Sequence, residues 1–207
     1  MLKRIRQSLA LSLAAGVMIG IGGTVNLKRG GVEGAVFFAV ALLTICMLGL
    51  HLFTGKVGAI VYSENKKQDA PLLFTCLAGN LAGTFLAAYL CTLATDGGIY
   101  TVAREMCISK LERTTASVTV SAFMCGILMY VAVTVFARKN SIAGIIFCVP
   151  VFILSGYEHS VADMFYFFTA QLYGIDTLVF IGLAVIGNAL GGCFIPIMKK
   201  LAGEAKD

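Results

Sequence analysis

The sequence predicts an all-α integral membrane protein with six transmembrane helices, built as two inverted three-helix repeats. Three observations carry this. Hydrophobic residues are 58% of the chain and charged residues 13%, against roughly 45–50% and 25% in soluble domains. At about 20 residues per span, with loops between, the 207 residues hold about six helices. The third is an internal offset: the two histidines, His51 and His159, stand 108 residues apart, and so do Asn80 and Asn188. Such a composition excludes disorder, a nucleic-acid partner and a disulfide-stapled secreted domain.

The apolar runs fall near 8–26, 34–54, 71–94, 115–137, 142–173 and 176–198. The first has the basic start and apolar core of a signal peptide, but five more runs follow, so it reads as an uncleaved first helix. The second ends in Gly49-Leu50-His51-Leu52-Phe53-Thr54-Gly55-Lys56, and apolar character resumes over Val57 to Tyr62. The third carries Gly79-Asn80-Leu81-Ala82-Gly83. Arg104, Cys107, Lys110 and Arg113 lie in the gap before the fourth run and read as loop. The fifth is interrupted by Ser155-Gly156-Tyr157-Glu158-His159-Ser160, and the sixth carries Gly187-Asn188-Ala189-Leu190-Gly191. Helices 2 and 5 are therefore each broken near the middle. Backbone that leaves the helix at membrane depth must be satisfied by protein or by a water-lined cavity.

Each half thus has a polar break and, 29 residues later, an asparagine between glycines on the next helix. Three helices per half is an odd number, so the halves, 1–100 and 101–207 of a single transmembrane domain, have opposite orientations. Inverted repeats with interrupted helices in matching places point to a central pathway. Of the 16 lysines and arginines, eleven lie in alternate gaps: Lys3, Arg4, Arg6, Lys56, Lys66, Lys67, Arg138, Lys139, Lys199, Lys200 and Lys206. The positive-inside rule puts that side, with both termini, in the cytoplasm of a multi-pass cell-membrane protein (inner or plasma membrane). The surplus charge is accounted for by topology and contact with membrane lipid.

The seven cysteines form no CxxC pair and read as small apolar residues. His-Glu-x-x-His and Gly-x-Ser-x-Gly do not occur, and two histidines without suitably spaced carboxylates make a poor metal site. The chain is therefore expected to be no enzyme and to need no cofactor. His159 stands out because a histidine deep in a span normally faces a cavity or a partner. Burial favours its neutral imidazole, and an incoming anion favours the protonated form. Its alternative role is to satisfy loose carbonyls of the break. Glu158 and Asp163, which would repel an anion, are expected to cap helix ends or pair with a basic residue.

Gly49 to Gly55, and more specifically Ser155-Gly156-Tyr157-Glu158-His159-Ser160-Val161-Ala162-Asp163-Met164-Phe165, resemble the two broken-helix loops of the formate–nitrite transporter family. Gly126-Ile127-Leu128 and Gly187-Asn188 also match, and the resemblance covers essentially the whole chain. It implies a homopentamer of aquaporin-like protomers, each with a pore for small monovalent anions (formate, nitrite, hydrosulfide or short carboxylates), often moved with protons. By the same resemblance His159 is the pore histidine, Thr54 the loop threonine near it, and Asn188 completes the polar site. Asn80 and His51 are the first-half counterparts of Asn188 and His159. Phe38, Leu42 and Phe152 match apolar constriction residues, with Leu52 and Phe53 at the inner narrowing; their spacing alone would read as helix packing.

Three positions depart from the family. His51 stands where an acid is usual, either holding loop amides or acting as a second pore-side histidine. Thr114 stands where a lysine is common, with Arg113 and Lys110 nearby, and Tyr130 where an asparagine is common. A second class of function, a neutral-gas or ammonium-type channel with two pore histidines, fits the histidine pair but not the Ser-Gly-Tyr-Glu-His-Ser loop.

Overall fold

A computed structural model describes residues 1–204; Lys206 lies outside the described residues. Among the described residues there are nine α-helices, one 3-10 turn and no strand. The helices are α1 (Leu2–Arg29), α2 (Gly31–Met47), α3 (Phe53–Lys56), α4 (Lys66–Ala94), α5 (Tyr100–Leu111), α6 (Thr115–Lys139), α7 (Ala143–Leu154), α8 (Ser160–Thr169) and α9 (Ile175–Leu201), with the 3-10 turn at Val57–Tyr62. Four of them, α1, α4, α6 and α9, are long and apolar enough to cross a membrane, while α2 and α7 are shorter apolar helices. The 12 residues of α7 reach only about 18 Å, short of the roughly 30 Å hydrocarbon core. The second and fifth apolar runs accordingly break, at 48–52 and 155–159, and continue as α3 with the 3-10 turn and as α8. Large apolar side chains such as Phe74, Phe147 and Leu178 point outward, each 70% or more exposed, as suits a lipid-facing surface.

The two breaks use one backbone device. Gly49 (φ 63°) and Gly156 (φ 66°) occupy the left-handed region that favours glycine. The following amides then reach back, Leu50 N to Ile45 O and Tyr157 N to Phe152 O, both at 2.9 Å, closing each helix in a Schellman turn. Helix pairing is also duplicated. α1 packs on α2 and α4, and α6 packs on α7 and α9. Each broken segment then docks on the other half, α8 against α4 and the 3-10 turn against α9, while α2 meets α7.

The glycines of the Gly-Asn-x-x-Gly segments explain how the long helices approach so closely. A Cβ on Gly83 would stand 2.1 Å from Leu13 O of α1, and one on Gly191 1.9 Å from Phe123 O of α6. Both distances are far below contact, so backbone meets backbone there.

The gap read as loop contains α5. Its Cys107 and Ala103 are fully buried rather than lying in a loop, packed against α8. Its charges obscured the pattern in the sequence, and one of them, Lys110, is paired inside the protein with Glu158 and Asp163.

Candidate functional site

The N-terminus of α8 carries the site. His159 is the N-cap residue, its Nδ1 accepting from Ala162 N at 3.1 Å. A ring nitrogen that accepts from an amide holds no proton, so the neutral ring carries its hydrogen on Nε2. Nε2 lies 2.8 Å from Thr54 Oγ1, and the bond therefore runs from histidine to threonine. That leaves the Thr54 hydroxyl hydrogen to donate elsewhere. Both residues are buried, at 2% and 1% exposure.

Two asparagines hold the segments that present this pair. Asn188 Oδ1 accepts from Ser160 N at 2.8 Å, and its Nδ2 donates to Ala122 O at 2.7 Å and Glu158 O at 2.8 Å. In the first half, Asn80 Oδ1 accepts from Phe53 N at 2.9 Å, and its Nδ2 donates to Ser12 O at 2.8 Å and His51 O at 2.9 Å. Each side chain thus satisfies polar backbone on both sides of a break, the requirement that irregular backbone in an apolar setting imposes. Both amide hydrogens of each asparagine are committed to carbonyls, so these residues meet the site through the backbone they hold.

Buried apolar side chains stand beside the pair. Phe152 stacks on His159, with centroids 5.5 Å apart and planes at 22°. Phe38 meets Phe152 edge to face at 6.1 Å and 89°. Leu42 lies one turn beyond Phe38 on α2, and Leu52 and Phe53 precede Thr54; all five are buried.

A cavity of about 310 Å³ opens on one side of His159, between α5, the second break and α8; Asn26, Lys110, Arg113 and Tyr166 also line it. Its charges are paired: Lys110 bonds to Glu158 and, at 2.9 Å, to Asp163, and Arg113 bonds to Glu158. Glu158 and Asp163 are 1% exposed, and buried charges persist when paired and hydrogen-bonded. Asn26 Nδ2 donates to Tyr166 OH at 3.0 Å across the cavity's far wall. Among the described residues, Ser160 Oγ and Asp163 Oδ2 are buried without a hydrogen-bond partner.

The profile of the family described as formate/nitrite transporter matches residues 1–201. The chain belongs to that family. It is 29% identical over 192 residues to the uncharacterized transporter YrhG of Bacillus subtilis strain 168, covering 84% of this chain and 72% of that one. With the nitrite transporter NirC of Salmonella typhimurium strain LT2 it shares 30% identity over 174 residues, 75% of this chain and 64% of that one. The solved structure of a pentameric formate channel with formate bound has the same fold, at a TM-score of 0.80 and 22% identity, covering 97% and 98% of the two chains. An FNT family ion channel superposes equally well at 21% identity, covering 97% of each chain. Members of the formate/nitrite transporter family are channels and transporters, not enzymes. This one is a multi-pass membrane protein.

Against that family pattern the departures find local explanations. Thr114 caps α6, its side chain accepting from Ser117 N at 3.2 Å, while the nearby cations Lys110 and Arg113 line the cavity beside His159, the vestibule of the site. The Tyr130 ring lies where a Cβ on Gly58 would meet it at 2.8 Å, so it covers the 3-10 turn. His51 is separated from His159. Its Nδ1 faces Ser8 Oγ at 3.4 Å and it lines a different cavity, so the loop amide at Phe53 is held by Asn80 rather than by His51. Sequence reasoning missed Asn26 and Tyr166 as vestibule residues. The long-range pairing of α1 with α8 that brings them there left no local signal.

Proposed function

We propose that each chain forms a pore for small monovalent anions, among them formate, nitrite, hydrosulfide and short carboxylates, with proton transfer at His159 assisting passage. The observation that carries this reading is the buried His159–Thr54 pair, bounded by Phe38, Leu42 and Phe152 and by Leu52 and Phe53. Apolar side chains make a bare anion costly to pass, whereas a weak acid crosses far more readily when neutral. The Thr54 hydroxyl hydrogen offers an anion a bond at the barrier. The imidazole can take a second proton only on Nδ1, by releasing the Ala162 amide. The imidazolium then donates from Nε2 through the Thr54 hydroxyl, so that the anion becomes the neutral acid and the ring becomes neutral again. The unpartnered oxygen of Asp163, which lines the cavity beside His159, is a group that the O–H of such an acid would satisfy.

In this reading the six apolar runs are six crossings, in halves 1–100 and 101–207 of inverted orientation. Both termini are cytoplasmic, and five protomers assemble as in the pentameric formate channel of the same fold. Asn80 and Asn188 serve by fixing the two breaks. The duplicated pairing of helices and asparagine braces supports the repeat, and the basic side set by Arg4, Lys56 and Lys199 supports the orientation. An ammonium-type pore would pair its two histidines at one site, whereas His51 and His159 line different cavities.

Liposomes holding the purified protein, challenged with formate, nitrite, hydrosulfide, acetate and ammonium between pH 5 and 8, test the reading. Anion flux that rises on acidification, with internal alkalinisation, is expected. The His159→Asn variant is expected to lose the acid stimulation by tenfold or so while keeping neutral-pH conductance. Flux of ammonium alone would overturn the assignment.

A further inference from the structure

A second cavity of about 310 Å³ lies away from His159, at the opposite end of α1. Ser8 lines it, whereas Asn26 lines the vestibule; 18 residues of helix separate these by roughly 27 Å. Its polar part is made by Arg4, Gln7, His51, Lys56 and Asp69, and its apolar wall by Ile60, Leu72 and Leu73. The acid is already compensated, since Asp69 pairs with Arg4 at 3.0 Å and accepts from Ser63 Oγ at 2.8 Å. Among the described residues Lys56 has no ion-pair partner, so the cavity keeps an uncompensated ammonium, and His51 Nε2 has no hydrogen-bond partner; it is a donor in the tautomer whose Nδ1 accepts from Ser8 Oγ. A neighbouring cavity lined by Lys3 and Arg6 meets this one at Gln7, adding cations at the approach.

We propose that this cavity holds the headgroup phosphate of an anionic phospholipid. The cationic part meets the phosphate through Lys56, Gln7 and His51. The apolar wall of Ile60, Leu72 and Leu73 meets the acyl chains. A soluble phosphate would have no use for that wall. Basic pockets between transmembrane helices near a membrane surface are the setting in which anionic headgroups bind. The inference requires that the chain sit in a bilayer and is independent of which anion it transports.

Native mass spectrometry of the assembled protein, released from nanodiscs containing phosphatidylglycerol and phosphatidylcholine in equal amounts, tests it. Retention of phosphatidylglycerol over phosphatidylcholine by about fivefold is expected, the factor one well-placed cation supplies near a membrane. Lys56→Gln should abolish that preference and Gln7→Ala should reduce it, with the oligomer intact by mass. Lys139→Gln, the same charge change at the end of α6, should leave it. Equal retention of the two lipids would overturn the proposal, as would an equal loss in Lys139→Gln. So would displacement by millimolar inorganic phosphate, which would mark a site for the soluble anion, or protein density from a neighbouring subunit filling the cavity.

Discussion

The two broken helices share a backbone and differ in everything attached to it. Residues 48–62 and 155–169 both turn at a left-handed glycine, close with the same reach-back bond and are gripped by an asparagine from the next long helix. Past the break, the first continues as one helical turn and a 3-10 segment, with His51 facing a partly open cavity. The second continues as a ten-residue helix buried along nearly its whole length, with its histidine capped, stacked and bonded to Thr54. The frame occurs twice. The polar chemistry was concentrated on one copy, and Thr54 is the part the other copy contributes.

If the frame is shared, breaking it in either half should cost the same. The Gly83→Val and Gly191→Val variants are both expected to lose the folded oligomer, since a side chain has no room against Leu13 O or Phe123 O. Size-exclusion chromatography after detergent extraction reads this, and survival of one variant alone would show that the halves do not bear equal weight. Next come Asn80→Leu and Asn188→Leu. Each takes the partner from an amide and a carbonyl of its break, since Ser12 O and Ala122 O keep their helix bonds; at about 1–3 kcal/mol apiece, thermal unfolding should show comparable drops in the two. The chemistry, unlike the frame, should respond unequally. Lys110→Met leaves the buried Asp163 without its cation and Glu158 with Arg113 alone, and should cost about 3–5 kcal/mol. Arg4→Gln, which breaks the exposed pair with Asp69 on the first half, should leave the melting temperature unchanged. Similar shifts in these last two would erase the distinction between the halves.

Much of this was legible in the residues themselves. Apolar runs, polar interruptions and the 108-residue offset locate both breaks and both asparagines, because each depends on local composition or on recurrence along the chain. His159 and Thr54 were expected to lie together through family resemblance, and they do. What escaped depends on partners distant in sequence. α5 looked like a loop because Lys110 and Arg113 read as solvated, whereas they satisfy carboxylates 45 or more residues away. Nor could the direction of the His51 ring be read, since backbone symmetry with His159 does not dictate where a side chain points. Asn188 and Asn80 were expected as polar lining. Their hydrogen-bond capacity proves to be spent on backbone, which only three-dimensional accounting reveals.

The stacking of Phe152 on His159 has one more consequence. In the proposed function the aromatic side chain that narrows the path and the imidazole that handles the proton are the stacked pair, with Phe38 edge-on to Phe152. Movement of α7 that widens the opening must slide one ring over the other and disturb the geometry at Thr54. On that proposal permeability and proton sensitivity form one mechanical variable, and a variant that leaks at this point is expected to respond less to acid as well.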